Sequence, residues 1–280
     1  MTLHEVEFEG HRSVRVDGEA SELFVTVSVG PRVLGCVVGG TNLFAVLPEA
    51  ELDAPGGERY RLLGGHRLWA APEIPAVTYR PDDRPCETTE LADGVRVEAP
   101  PDGAGLVKAI AVRPDAGGGW IVEHELRNAS SSPVTIAPWA ITQLRPGGEA
   151  VLPVPARGIG PQADRSLVLW PYTDLGDRRI RTGRREVRVD ASTDGPPTKV
   201  GVAPSDGRIA YRLGGYAFEK RIELDPDGVY TDRGAAVQVY IGGGCCELET
   251  LGPLRELAPG GRAEHRERWS LRSSDAPGRP

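Results

Sequence analysis

The feature that most constrains this chain is a two-residue alternation of apolar and polar side chains, repeated in short segments that turn residues interrupt. Leu23 to Val29 ends at Gly30-Pro31, and Val33 to Val38 ends at Gly39-Gly40. Segments of the same kind run Gly94 to Glu98, Leu106 to Val112, Trp120 to Leu126, Val134 to Leu144, Glu186 to Val189, Arg208 to Tyr211, Phe218 to Leu224, Ala235 to Ile241, Cys245 to Leu251 and Arg262 to Leu271. A period of two puts alternate side chains on opposite faces of a strand, whereas a helix needs a period of 3.6. The interruptions, such as Asp93-Gly94, Pro146-Gly147-Gly148 and Asp225-Pro226-Asp227-Gly228, are turn chemistry. With 36 glycines and 25 prolines in 280 residues, helix breakers are far above average usage. Short helices are expected only at Ala45 to Leu52 and Ala163 to Leu169. The pattern predicts an all-β fold, a large antiparallel sandwich or barrel. No fixed-period repeat supports a propeller, and no composition break divides residues 1–272, which are expected to form a single domain followed by a frayed polar tail over 273–280. Pro153 to Arg184, long and irregular with Trp170 and Tyr172, is expected to form part of a site.

A formal net charge of −7 supplies no overall attraction to nucleic acid or anionic lipid, so neither is expected as a partner. No stretch reaches the roughly 18–20 apolar residues of a membrane-spanning helix. Met1 to Arg15 carries Glu5, Glu7 and Glu9 in place of an apolar signal core. The four cysteines lack zinc-knuckle spacing, and the adjacent Cys245 and Cys246 point to opposite faces of a strand. Reduced thiols and a cytoplasmic location are expected. No metal-ligand set is visible at any spacing. Arginine outnumbers lysine 30 to 3, read as a coding bias.

Three clusters carry chemistry. In Cys245-Cys246-Glu247-Leu248-Glu249-Thr250-Leu251, Glu247 and Glu249 share one strand face, about 6.5–7 Å apart. Carboxylates that close raise each other's pKa, and burial adds to this, which suits a general base. An exposed strand face with two solvated glutamates is the competing reading. Gly64-Gly65-His66-Arg67-Leu68-Trp69 packs an acid, a cation and an indole behind two glycines. That set suits a polyol, with the guanidinium on hydroxyls and the ring on a sugar's C–H face. The competitor is a strand-entry turn with Trp69 in the core and Arg67 paired at the surface. His124 belongs with Trp120, Val122 and Leu126 on an inward face, as a core residue or a ligand contact. His4, His11 and His265 have charged or terminal neighbours and are expected at the surface. Phe218 to Arg221 and Tyr230 to Gly234 read as two arms of a hairpin that brings Lys220 near Asp232. No P-loop, dinucleotide fingerprint, zincin motif or serine elbow is present.

Taken in order, Gly64-Gly65-His66-Arg67-Leu68-Trp69 with Pro72-Glu73, Asn128 and Ser130, Pro138-Trp139-Ala140-Ile141-Thr142, Leu169 to Asp174, Lys220, Tyr230 and Asp232, Glu247 to Leu254, and Pro259-Gly260 with His265, Glu267 and Trp269 resemble a bacterial branch of the galactose mutarotase-like (aldose 1-epimerase-like) superfamily. The resemblance spans about Ala20 to Leu271. It implies a β-supersandwich of two large twisted antiparallel sheets with a carbohydrate site in a concave face. In true mutarotases a glutamate in a Leu-Glu-Thr context takes the anomeric hydroxyl proton and a histidine protonates the ring oxygen. Glu249 matches the glutamate, with Glu247 one pleat away. Pro138 to Thr142 stands where related epimerases usually show a histidine followed by aromatics. His66 or His124 would therefore have to supply the imidazole from another strand.

The expected function is cofactor-free acid/base isomerisation of a sugar or sugar derivative. Glu249, His66 and Glu247 are the candidate catalysts; Arg67, Trp69, His124, Trp139, Lys220 and Asp232 are the candidate substrate contacts, with no metal. The expected partner is a small-molecule carbohydrate, bound by a monomer or homodimer. Two other classes compete: a non-catalytic carbohydrate-binding or regulatory module, and a lyase or hydrolase on an acidic sugar held by Arg67 and Lys220.

Overall fold

The computed structural model describes residues 4–154, 161–203 and 205–273. The strands are paired throughout in antiparallel fashion, in sheets of thirteen and ten among the described residues. The larger sheet runs from His4–Phe8 through Arg32–Val38, Arg59–Ala71, Val134–Leu144, Cys245–Leu251, Val237–Gly242 and Thr198–Ala203 to Ser166–Leu169. The smaller runs from Ile180–Thr182 through Tyr216–Ile222, Arg262–Ser273, Trp120–Asn128 and Leu106–Pro114 to Glu87–Glu90. This is the expected all-β sandwich of two large sheets. Among the described residues, no helix is long and apolar enough to cross a membrane.

Alternation builds the layers. Leu68, Ala70, Leu144, Cys246, Leu248, Val237 and Val239 face the smaller sheet, meeting Ile110, Val122, Phe218 and Trp269 in the main core. The alternate residues Trp69, Ala71, Trp139, Ile141 and Leu251 face away and form a separate apolar cluster with Tyr60. The larger sheet is therefore covered on both faces, and its outer face carries the site described below.

Gly64 and Gly65 mark where Arg59–Ala71 changes partner, from Val46–Asp53 to Arg32–Val38. Both have positive φ, at 91° and 70°. A Cβ on Gly64 would lie 2.0 Å from the Ala45 carbonyl oxygen. Only glycine tolerates that approach and that dihedral together.

Several local expectations are overturned. Ala45 to Leu52 and Ala163 to Leu169 are not helices: Val46–Asp53 and Ser166–Leu169 are strands. Sheet pairing overrides the local preference there. Gly64 to Trp69 lies inside a strand rather than in an entry turn. The Phe218 arm pairs with Arg208–Leu213 and Arg262–Ser273, while Thr231–Gly234 is a tight turn with Asp232 and Arg233 at positive φ, so the Lys220/Asp232 hairpin does not form. Ser273 closes the last strand; the rest of the expected tail lies outside the described residues.

Candidate functional site

Register assembles the outer face of the larger sheet. Across its central strands, Trp69 pairs with Trp139, Arg67 with Ile141, Ile141 with Glu249 and Gln143 with Glu247. Gln238 then pairs with Glu249, Tyr240 with Glu247, and Lys199 with Tyr240. Directly paired residues on adjacent strands point the same way, so five strands deliver a floor of indoles, carboxylates, amides and two cations. A cavity of about 460 Å³ opens over it, within the ~300–1,000 Å³ typical of small-molecule sites. Its lining includes Arg67, Trp69, Trp139, Lys199, Tyr240 and Glu247, with Glu73 and Tyr79 after the first floor strand and Tyr172 at the rim.

The two glutamates share this face and take different partners. The Glu247 carboxylate accepts from Arg67 Nη2 at 3.1 Å and Gln143 Nε2 at 2.8 Å. The Arg67 guanidinium also lies over the Trp69 ring, 4.1 Å from its centroid. Glu249 is fully buried. Its Oε2 accepts from Trp139 Nε1 at 2.8 Å and Lys199 Nζ at 2.7 Å, while Oε1 has no partner. Burial is the main cause that pushes the Glu249 carboxyl up to about 7; Lys199 opposes the rise, and the nearby Glu247 charge adds to it. The mutual repulsion expected from the Glu-x-Glu spacing is present, but desolvation outweighs it. An unpartnered carboxylate oxygen with a pKa near neutrality can take and return a proton.

Lys199 is the residue that sequence reading missed. It stands between the Trp139 and Trp170 rings, 4.8 and 4.6 Å from their centroids. Its backbone N–H donates to Thr173 Oγ1 at 2.9 Å, and its carbonyl accepts from the same hydroxyl at 2.7 Å. Those bonds pin the Trp170–Thr173 turn onto the floor and bring Tyr172 to the cavity. A signal for it was available. The chain has only three lysines among 33 basic residues, and Lys108, Lys199 and Lys220 are all buried beside carboxylates, Asp102, Glu249 and Glu267.

His66 does not join Glu249. It lies one position before Arg67 on the same strand, so its side chain points through the sheet into the inter-sheet layer, where it is fully buried. His124 and Lys220 reach that layer from the smaller sheet. His265, expected at the surface, is only 7% exposed and belongs there too. His124 Nδ1 donates to the His265 carbonyl at 3.0 Å, leaving Nε2 of the neutral ring as acceptor for His66 Nε2–H at 2.7 Å. His66 Nδ1 then accepts from the Thr142 hydroxyl at 2.9 Å. His265 Nε2 donates to Thr250 Oγ1 at 2.7 Å, and Thr250 donates to Glu267. Glu267 also accepts from Lys220 Nζ and Trp269 Nε1, both at 2.7 Å. Burial lowers the pKa of all three histidines, of His265 to about 3. Burial alone would raise Glu267, but Lys220 and the histidines hold it well below the usual carboxylate range.

The fold thus brings His66, His124 and Glu267 within 4.8 Å of one another, a potential metal set that spacing did not reveal. The fit is poor. Each facing lone pair already has a donor, and a cation would meet the Lys220 ammonium. Asp232 stands beside the floor rather than with Lys220: its carboxylate accepts from Gln238 Nε2 at 2.8 Å and orients that amide. Of the expected site residues, the structure therefore brings Glu247, Glu249, Arg67, Trp69 and Trp139 together. It places Asp232 behind Gln238, and it puts His66, His124 and Lys220 on the other side of the sheet.

The two-sheet antiparallel architecture is that of the galactose mutarotase-like fold. A solved structure from Escherichia coli K12, described as a candidate aldose 1-epimerase, superposes with a TM-score of 0.59 at 10% identity, covering 93% of this chain and 99% of that one. A galactose mutarotase-like protein from Lactobacillus casei gives 0.53 at 10%, covering 93% and 100%. A galactose mutarotase-related enzyme from Lactobacillus acidophilus gives 0.51 at 8%, covering 94% and 98%. No family model matches the chain, and no curated protein matches it in sequence.

Proposed function

We propose that this protein is a carbohydrate isomerase of the mutarotase type, with Glu249 as the general base in the outer-face cavity. The observation that carries this is the buried Glu249 carboxylate, hydrogen-bonded to Trp139 and Lys199, which both line the cavity, with one oxygen unpartnered and its pKa raised to about 7. Aromatic faces at Trp69, Trp139 and Tyr172 suit the C–H faces of a sugar ring. Arg67, Gln143 and Glu247 offer donors and acceptors for its hydroxyls. The reaction requires a group that takes the anomeric proton and one that gives a proton to the ring oxygen, with no net redox change. A cytoplasmic setting accords with four free thiols.

The test is anomer exchange measured by NMR or polarimetry across aldopentoses, aldohexoses and their phosphates. The protein should accelerate at least one of them, and Glu249→Gln should abolish the acceleration. A panel with no accelerated sugar refutes the proposal. One observation favours a second reading, a binding module: no histidine is among the residues lining the cavity. Calorimetric sugar binding without turnover, unchanged in Glu249→Gln, would select it.

A further inference from the structure

We propose that Lys199 is the proton donor of this site, acting with Glu249 as one bifunctional acid–base pair in place of an imidazole. This inference rests on the isomerase reading above and assigns the group that reading leaves open.

The geometry suits the chemistry. In a cyclic hemiacetal the anomeric hydroxyl oxygen and the ring oxygen are bonded to the same carbon. The two sites of proton transfer are therefore closer together than a hydrogen-bond length, and a catalyst that serves both needs its acid and base side by side. Lys199 Nζ and Glu249 Oε2 are 2.7 Å apart, both side chains are almost completely buried, and Lys199 lines the cavity. Trp139 and Trp170 flank the ammonium, so it remains under the aromatic walls rather than extending into solvent. The other cation of the lining, Arg67, is committed to Glu247 and cannot deprotonate. An ammonium can hand a proton to a substrate oxygen, which a guanidinium does not. A chain that uses arginine for 30 of its 33 basic positions keeps lysine here.

The step balances as follows. Glu249 takes the proton of the anomeric hydroxyl, the C1–O5 electron pair moves to the ring oxygen, and that oxygen takes a proton from Lys199. This leaves an open-chain aldehyde, a neutral carboxylic acid and a neutral amine. After rotation about C1–C2, the hydroxyl adds to the other face of the aldehyde, returning its proton to Lys199 while Glu249 protonates the carbonyl oxygen. The pair moves between ionic and neutral forms without exchanging a proton with solvent.

The experiment uses the full chain and the aldose it accelerates most. Lys199→Arg keeps the positive charge beside Glu249 but removes the transferable proton. Lys199→Ala removes both and opens space for a small amine. Both variants should lose about 10²–10⁴-fold in kcat with KM changed far less. Methylammonium should restore activity to Lys199→Ala, leave the wild-type rate unchanged and fail to restore Glu249→Gln. Near-wild-type kcat in Lys199→Arg would reduce Lys199 to a source of charge and overturn the proposal. So would an inactive Lys199→Ala that retains its fold by circular dichroism and no amine rescues. A wild type that accelerates no aldose would remove the isomerase reading itself, an outcome distinct from an active enzyme indifferent to Lys199.

Discussion

Replacing Lys220 with methionine tests whether the inter-sheet polar layer is a single coupled unit. Lys220 Nζ lies 2.7 Å from Glu267 Oε1 with both side chains fully buried, and the ammonium also donates to the Ala140 and Leu248 carbonyls at 3.3 and 3.1 Å. Breaking a buried pair by deleting one partner costs about 3–5 kcal/mol, because the remaining charge is stranded. Glu267 keeps its Thr250 and Trp269 donors, which places Lys220→Met near the lower end, about 3 kcal/mol. Glu267→Gln strands the ammonium instead and should cost a similar amount. In the double variant neither charge remains, and a buried ion pair replaced by uncharged groups is commonly close to neutral. The expected double-variant loss is about 1 kcal/mol, a coupling of several kcal/mol rather than additivity. Urea denaturation at pH 7 measures this through the midpoint, provided the slope is unchanged. If the double variant loses the sum of the two single losses, the two residues are independent and the coupled-layer account fails.

Three further outcomes follow from the same coordinates. His66, His124 and His265 have folded-state pKa values below the ordinary 6.5, so the unfolded chain takes up protons first as the solution is acidified. Their stabilisation is complete above about pH 7 and shrinks as pH falls, by up to about 1.4 kcal/mol per histidine per pH unit. Glu267 adds to the loss below the usual carboxylate range; a urea midpoint that stays flat from pH 7 to pH 5 would contradict this. Gly64→Ala should destabilise by about 3 kcal/mol because its Cβ strikes the Ala45 carbonyl, whereas Gly147→Ala, with the same φ of 91° and nothing within 4 Å, should cost only about 1 kcal/mol. Equal midpoints for the two variants would show that dihedral strain alone governs. Trp139→Phe removes a donor that favours ionised Glu249, so the rise of activity with pH near 7 should move to higher pH; an unmoved acid limb would separate Glu249 from the rate.

How much of the site the sequence revealed can be read strand by strand. Period two correctly put Glu247 and Glu249 on one face and Cys246, Leu248 and Thr250 on the other, because side-chain direction within one strand is a local property. The same rule, applied to His66 and Arg67 as neighbours, already required them to diverge. Reading the Gly-Gly-His-Arg-Leu-Trp segment as one cluster passed over that constraint. Gln238 carried no signature and Lys199 only the rarity of lysine in this chain, since their importance comes from register with Glu247 and Glu249 across three strands.

The sequence by itself determined an all-β chain, many of its strand segments, and which residues of each of those segments travel together. Tertiary structure alone decided which face of which sheet meets which. It sent His66, His124 and His265 inward to a self-satisfied layer and set a lysine beside the buried glutamate. The physical reason is that alternation is fixed by the backbone of a single strand, while contact between strands far apart in sequence depends on pairing order and register, which no short window of sequence contains.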